Sequence, residues 1–361
     1  MKGPIFLIVF LISRVVSGSE SDSLKPVRFF GYPIIFYSPE TELGLGAAGN
    51  FVLRKTEDST RVFPTQITFG AAYTTNGQFL LYAPFRAYSA KGRVVTYGEA
   101  GFYRYVYNYF GAGNEVSAEY FEKYKTRYSR LRLNVLYKIN KVLFAGPRLW
   151  FEDHRILKRA TGGLLEKSGI AGAGGARVTG LGVSVNIDTR DRLFFPAKGV
   201  FAELAWQEFN PAWGNSTKWR RWLADVAVYR KMPWNTILAL NGIVDLHSGE
   251  TPFMLLAGLG GSKRMRGYYE NRFRDNNAAL VQMEFRKMLS PRIGFTVFAS
   301  GGKVFDELSL FGPAPYRFAA GGGIRISINK SERLNLRLDA AVGKKSQAFY
   351  IMWVRHSKYE S

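Results

Sequence analysis

The sequence contains no cysteine, and this absence removes three kinds of protein from consideration. Without cysteine the chain cannot form a disulfide framework, a thiolate metal site or a lipoprotein anchor. Histidine is also scarce: His154, His247 and His356 lie on separate segments without the spacing of a metal site. We therefore expect surface or loop positions for the histidines, no bound metal and no cofactor.

The chain also lacks a long hydrophobic run beyond its N-terminus. Hydrophobic residues make up 47% of the 361 residues, yet no stretch of the mature part approaches the roughly 18 consecutive apolar residues of a transmembrane helix. Tyr (20), Phe (28) and Gly (38) are abundant instead. These residue types suit strands, tight turns and the aromatic girdles at membrane interfaces.

Positive charge dominates, with a formal net charge of +22. Such an excess can indicate nucleic acid, an anionic membrane surface or charged loops as partners. The sequence has no dense Lys/Arg run, no zinc-finger spacing and no helical recognition pattern, so we expect no nucleic-acid partner. The lysines and arginines alternate one by one with apolar residues.

The first 18 residues have the pattern of a signal peptide. Lys2 precedes the apolar run 5–12, and the small residues around Ser17 and Gly18 form a cleavage site. A buried or membrane helix is the alternative, but the run is too short to span a bilayer. We predict a signal peptide at 1–18, a short N-terminal segment at 19–31, a β-barrel at 32–355 and a C-terminal tail at 356–361.

The dominant period of the mature chain is two. Leu181, Val183 and Val185 alternate with polar or small residues, and the ranges 130–135, 281–286 and 333–340 show the same pattern. Successive side chains of a strand point to opposite faces, so each segment has one apolar and one polar face. We count about 14 to 16 strands and no helix of normal length.

Turn sequences separate these segments. Thr75-Asn76-Gly77 predicts a hairpin turn, and residues 343–346 separate the last two strands. A soluble β-sandwich would show the same alternation. We favour a membrane barrel because the strands follow in simple succession behind a signal peptide, and because full charges on the polar faces suit a water-filled lumen. The predicted fold class is all-β, a transmembrane antiparallel β-barrel.

Three segments of the sequence carry motifs in addition to the alternating pattern. They are the turn segment from Asp188 to Gly199, the loop segment 260–268 containing Met265-Arg266-Gly267-Tyr268, and the C-terminal pair 323–325 and 336–339. Together they resemble the barrel domain of the BamA/TamA superfamily, also called the bacterial surface antigen family. The resemblance covers essentially the whole mature chain.

This resemblance implies 16 strands and a long loop that folds into the lumen. It also implies that Arg266 pairs with inward-facing carboxylates, of which Glu284 is the matching residue. Ser300 stands at the usual position of a second acidic residue, so we expect Glu284 to carry the pairing alone. A buried Arg needs such acceptors, because leaving it unpaired costs several kcal/mol. A solvated loop arginine is the alternative.

The segment containing Asp188, Arg190, Asp191, Pro196 and Gly199 has a simpler interpretation. Paired Asp and Arg around a turn commonly satisfy loop backbone groups. We therefore predict a structural turn here. A catalytic carboxylate pair is disfavoured, because no nucleophile or metal-ligand set accompanies it.

The sequence departs from the family at both ends. Only about 20 residues separate Ser19 from the first strand, so we expect a short form without periplasmic receptor modules. Family barrels often finish on an aromatic residue, whereas here a tail follows Trp353.

The resemblance implies an outer-membrane protein accessory to the assembly or translocation of outer-membrane proteins or lipids. Its partners would be outer-membrane lipids, other envelope proteins or unfolded barrel clients. The alternative is a passive or gated pore that prefers anions, since arginines and lysines exceed acids. We expect no enzymatic activity, because no Ser/His or Asp/His constellation is apparent.

Overall fold

The protein is a closed antiparallel barrel of 16 strands. The computed structural model describes residues 27–53, 65–89, 92–114, 116, 120–191, 196–307, 315–329 and 334–355. The predicted signal peptide and tail, with His356, lie outside the described residues. The barrel confirms the predicted fold class and strand number.

Each barrel strand pairs with its neighbours in sequence order, apart from a two-stranded hairpin, β12 and β13, inserted between β11 and β14. The strands are β1 Val27–Ser38, β2 Glu42–Leu53, β3 Thr65–Thr74, β4 Phe79–Tyr88, β5 Val94–Tyr109, β6 Glu122–Lys138, β7 Leu143–Lys158, β8 Gly175–Asp188, β9 Gly199–Phe209, β10 Trp219–Met232, β11 Thr236–Gly249, β12 Ala257–Leu259, β13 Phe273–Asp275, β14 Asn277–Met288, β15 Ile293–Phe305, β16 Arg317–Asn329, β17 Leu334–Gly343 and β18 Ser346–Arg355. Strand β1 thus includes residues 27–31, which the predicted boundaries place in a separate N-terminal segment.

The alternation seen in the sequence becomes an inner and an outer face. On β6, Tyr124 and Tyr128 are buried in the lumen, whereas Lys123 and Leu131 are exposed on the outside. The turn at 75–78 joins β3 to β4, and residues 344–345 join β17 to β18, as predicted. The one α-helix of the described residues, α1 (Leu164–Lys167), is a single turn. Within the described parts of the chain, no helix has the length and apolar character needed to cross a membrane.

The two ends of the barrel differ. The end that carries the start of β1 and the end of β18, here called the turn end, is mostly closed by short connections such as 139–142, 233–235 and 289–292. The longest connections, 110–121, 159–174 and 250–276, lie at the opposite end, the loop end. Transmembrane barrels keep short turns on the periplasmic side and long loops outside. The loop end is therefore the extracellular side.

Candidate functional site

The longest connection, residues 250–276, folds into the lumen and is called here the lumen loop. It contains the short β12–β13 hairpin. Met265 is completely buried, Tyr268 is 1% exposed and Arg266 is 8% exposed. Met265 packs in an apolar cluster with side chains of the barrel wall such as Leu280 and Val304. The structure thus places the Met265–Tyr268 motif inside the barrel.

Backbone conformations that favour glycine shape this loop. Gly260 and Gly267 have φ angles of +115° and +114°. A Cβ atom on Gly260 would lie 1.9 Å from the carbonyl oxygen of Tyr269, so the loop cannot close on itself with any other residue at this position. The glycines let the chain reverse tightly enough to bring Arg266 against the wall.

Arg266 reaches across to two strands. Its guanidinium pairs with the Glu284 carboxylate on β14 and donates to the Asp339 carboxylate on β17 at 2.7 Å. It also lies 3.4 Å from the centre of the Phe298 ring on β15. The planar guanidinium of Arg266 thus contacts two carboxylates and one aromatic ring. These contacts fix the loop against β14, β15 and β17.

Arg266 shares its carboxylates with three other arginines. Arg286 donates to Glu284 at 2.6 Å, and Arg325 and Arg337 donate to Asp339 at 2.5 and 2.6 Å. We call these groups the lumen charge cluster: Arg266, Arg286, Arg325, Arg337, Glu284 and Asp339. Four cations against two carboxylates leave a formal charge of +2.

The expectation that Glu284 alone neutralises Arg266 is therefore wrong. Ser300 donates to the backbone carbonyl of Ala319 at 3.4 Å and supplies no charge. The second carboxylate comes from Asp339 instead, two strands further along the barrel. The segment containing Asp339 contributed to the family resemblance, but alternation alone could not show which inward residue of another strand meets the loop.

The motif also contacts the last strand. The Tyr350 hydroxyl on β18 accepts a hydrogen bond from the amide of Gly267 at 3.3 Å and donates to the carbonyl of Tyr268 at 3.3 Å. Ser346, at the start of β18, donates to the carbonyl of Gly267 at 2.7 Å. The Tyr268 hydroxyl in turn donates to the carbonyl of Phe318 at 3.0 Å. The lumen loop is thus tied to the C-terminal edge of the barrel.

The same loop is tied to the N-terminal edge through Glu40. This residue lies in the turn between β1 and β2, is 3% exposed, and accepts a hydrogen bond from the amide of Glu270 at 2.7 Å. Burial raises the pKa of Glu40 to about 7, and the nearby Glu270 carboxylate adds to the rise. Gln78 donates to the Glu40 carbonyl at 2.8 Å and holds the turn in place.

The first and last strands meet at the weakest junction of the barrel, here called the seam. One residue pair, Tyr37 and Ile351, is in register between β1 and β18. By contrast, β1 pairs with β2 along its whole length, from Val27 to Ser38. The lumen loop contacts both sides of the seam, through Glu40 beside β1 and Tyr350 on β18. It therefore bridges a junction that the strands themselves close poorly.

The expected surface or loop positions of the histidines are wrong for His154 and His247. Both are buried, on β7 and β11, and their rings lie 2.7 Å from Glu152 and 3.2 Å from Asp245. Each carboxylate stands two residues before its histidine, so both side chains face the lumen. The sequence did contain a pattern that could have predicted their burial: an acidic residue two positions before the histidine, within an alternating segment. The described residues contain no group of three potential metal ligands.

The segment from Asp188 to Gly199 lies at the turn end, away from the lumen loop. Arg190 donates to Asp188 at 2.8 Å and 2.5 Å, and the Asp191 carboxylate accepts from the amide of Ala197 at 2.9 Å. Gly199 has a φ of +110°, and a Cβ there would lie 2.4 Å from a carbonyl oxygen. Pro196 is buried. These contacts satisfy backbone groups and close the turn; residues 192–195 lie outside the described part.

Comparison with known proteins agrees with this geometry. The Omp85 superfamily domain matches residues 65–351. Among solved structures, BamA from Haemophilus ducreyi lacking POTRA domains 1-3 superposes with a TM-score of 0.59 at 13% identity, over 91% of this chain and 70% of that chain. No curated protein sequence matches the chain.

Two CdiB structures show the same barrel. CdiB from Acinetobacter baumannii gives a TM-score of 0.59 at 12% identity, and CdiB from Escherichia coli gives 0.62 at 10% identity. Both alignments cover 91% of this chain, which spans 60% and 63% of the length of the two CdiB chains. At these identities the likeness establishes the fold, whereas the domain match covers most of the chain. The chain belongs to the Omp85 superfamily of bacterial outer-membrane barrels.

Proposed function

We propose that this barrel assists the assembly or translocation of outer-membrane proteins or lipids by opening at its seam. The observation that carries the proposal is the single in-register pair, Tyr37 and Ile351, between β1 and β18. In a bilayer an unpaired backbone group costs several kcal/mol. A poorly paired edge is therefore a site to which another polypeptide strand can add.

The lumen loop gives this seam a means of control. Contacts from Glu40 and Tyr350 reach the loop from the two sides of the seam. As long as both contacts hold, the edges of β1 and β18 stay close together. Releasing the Glu40 contact, or the contacts of Tyr350 and Ser346 together, frees one edge from the loop while Arg266 still anchors the loop on β14 and β17. Opening at the seam then requires the loss of a few hydrogen bonds, and the other strand pairs remain intact.

A passive anion-preferring pore is less well supported. The lumen loop folds into the lumen, and each arginine of the lumen charge cluster pairs with a carboxylate. Planar-bilayer recordings distinguish the two functions. Large, stable, anion-selective openings of the purified protein would favour the pore.

A reversible cross-link tests the seam proposal. The chain has no cysteine, so a disulfide between Tyr37→Cys and Ile351→Cys would be the only one. Facing residues of antiparallel strands have Cα atoms about 4.5–5.5 Å apart, within reach of a disulfide. The matched control joins Ile35→Cys to Leu45→Cys, a facing pair of β1 and β2.

The variants are expressed in a strain depleted of the wild-type protein, and outer-membrane protein content and lipid permeability are scored. We expect the oxidised seam variant to fail, to recover when a reductant opens the disulfide, and the control to function in both conditions. Full function with nearly complete seam cross-linking would rule out the proposal.

A further inference from the structure

The outer wall of the barrel carries an unusual concentration of positive charge near the loop end. We call it the basic band; it consists of outward-facing residues of β5–β8, namely Arg104, Lys123, Lys125, Arg127, Arg155, Lys158 and Arg177. Six of the seven are exposed and Lys125 is partly exposed. Among the described outward residues of these four strands, Asp153 is the only carboxylate. It lies 3.5 Å from Arg155.

The cations of the basic band lie directly opposite one another. Arg127 on β6 is in register with Arg104 on β5 and with Arg155 on β7. One step closer to the loop end, Lys125 is in register with Lys158. Like charges on facing positions of neighbouring strands destabilise a sheet. Within the described chain, Arg104 and Arg127 form no ion pair that offsets this repulsion.

The position of the band along the barrel indicates what neutralises it. The next outward row toward the turn end is mixed, with Phe102, Ser129 and Asp153 in register. Beyond it the outward residues of β6 and β7 become apolar, beginning with Leu131 and Phe151 in the lipid-facing belt. The band therefore lies at the boundary where hydrocarbon gives way to headgroups. Long Arg and Lys side chains at this depth extend their charged ends toward the headgroups.

We propose that the basic band is a binding surface for the phosphate groups of lipids that carry a net negative charge in the outer leaflet. The loop end is the extracellular side, so the adjoining leaflet is the outer one. Facing arginines repel one another until an anionic phosphate lies between them, and each guanidinium offers several donors to phosphate oxygens. The bound lipid would fix the tilt of β5–β8, a quarter of the wall that ends at β8, opposite the seam.

The test uses the full-length protein in lipid nanodiscs. The discs contain phosphatidylcholine alone, phosphatidylcholine with bis-phosphorylated lipid A, or phosphatidylcholine with phosphate-free lipid A. Native mass spectrometry counts the retained lipid A, and thermal unfolding gives the midpoint. The band variant carries Arg104→Gln, Arg127→Gln and Arg155→Gln. The control carries Lys141→Gln, Lys167→Gln and Lys218→Gln, which remove the same charge from exposed connections.

We expect wild type and control to retain phosphorylated lipid A and to gain thermal stability from it. The band variant should bind it more weakly by about fivefold for each cation removed, since one cation near an anionic surface contributes about 1 kcal/mol. In phosphatidylcholine alone, the band variant should unfold at the same or a higher temperature than wild type, because the repulsion is relieved. The single variant Arg127→Gln should change lipid A retention and the unfolding midpoint in the same directions as the band variant does, but by a smaller amount.

Three results would overturn the proposal. One is equal retention of phosphorylated and phosphate-free lipid A by wild type. Another is an equal loss of binding in the control, which would show that net charge alone is responsible. The third is that inorganic phosphate, added to phosphatidylcholine discs, stabilises wild type as much as phosphorylated lipid A does, which would make the band a site for free anions.

Discussion

Replacing Asp339 with Asn should destabilise the barrel more than replacing Arg266 with Met, although the two side chains bind each other. The reason is the charge balance of the lumen charge cluster, which is +2 in the native protein. Losing the Asp339 carboxylate raises this charge to +3 and leaves Arg325 and Arg337 without their carboxylate partner. Losing Arg266 lowers the charge to +1, and each carboxylate keeps another arginine.

The two costs can be estimated from buried ion pairs in general. Removing one partner and leaving buried charge uncompensated costs about 3–5 kcal/mol, which we expect for Asp339→Asn. Arg266→Met forfeits two charge-assisted hydrogen bonds and the contact with Phe298, but leaves no unpaired carboxylate. We expect it to cost about 1–3 kcal/mol. The double variant restores the charge to +2, so its cost should fall below the sum of the two single costs by about 0.5–3 kcal/mol.

Urea unfolding of the folded barrel in detergent micelles, followed by tryptophan fluorescence, measures these differences. A double-mutant cycle over Arg266→Met and Asp339→Asn then gives the coupling energy directly. Charge balance does not control the stability of the cluster if Arg266→Met costs as much as Asp339→Asn, or if the two costs simply add. Either result would mean that shape, and not charge balance, holds the lumen loop against the wall.

Two further substitutions examine the contacts of the lumen loop. Because burial raises the pKa of Glu40 from 4.5 to about 7, the folded protein holds a proton there that the unfolded chain releases. Stability should fall by about 3 kcal/mol as the pH rises from 4.5 to 7. Urea unfolding at a series of pH values should show that Glu40→Gln removes this slope and that the exposed neighbour variant Glu42→Gln keeps it; an unchanged slope in Glu40→Gln would refute the assignment. Gly267 has a φ of +114°, and a Cβ would approach the Val342 backbone to 3.0 Å, so Gly267→Ala should cost about 1–3 kcal/mol in the same unfolding assay. A neutral effect would show that the motif backbone is not held in this conformation.

The barrel architecture could be predicted because it depends on local patterns. Alternation on β6, β8, β14 and β17 specifies which side chains face lipid, and a turn such as 75–78 sets the boundary of a hairpin. The strand number came from the family resemblance, since pattern alone left it between 14 and 16. The lack of a helix of normal length was predicted because no segment of the sequence shows a helical period.

The partners of the motif were predictable only in part. Glu284 follows the lumen loop closely in sequence and was found through the resemblance. Asp339 lies 73 residues from Arg266, and its meeting with the loop depends on how far the loop reaches across the lumen. Glu40 lies still farther from Arg266 in the sequence, near the N-terminal end of the chain. Such contacts are set by the closure of the barrel, which no local pattern specifies.

The histidines show a different limit. The expectation of surface or loop positions misplaced His154 and His247, because histidine is intermediate in burial and its sequence alone does not decide its position. Both stand two residues after an acid on an inward face, and the lumen of a barrel is a polar interior. In this fold, polar side chains on alternating strands are buried against charged partners, so burial does not follow hydrophobicity.

Amide hydrogen exchange at residue resolution, on the protein in lipid nanodiscs, tests the seam most directly. If the seam is held by the pair Tyr37 and Ile351 alone, the amides of β18 that point toward β1 should exchange much faster than those that point toward β17. The paired wall of β5 and β6 should remain protected throughout. Equal protection on both sides of β18 would show a fully hydrogen-bonded barrel and would contradict the account of the seam.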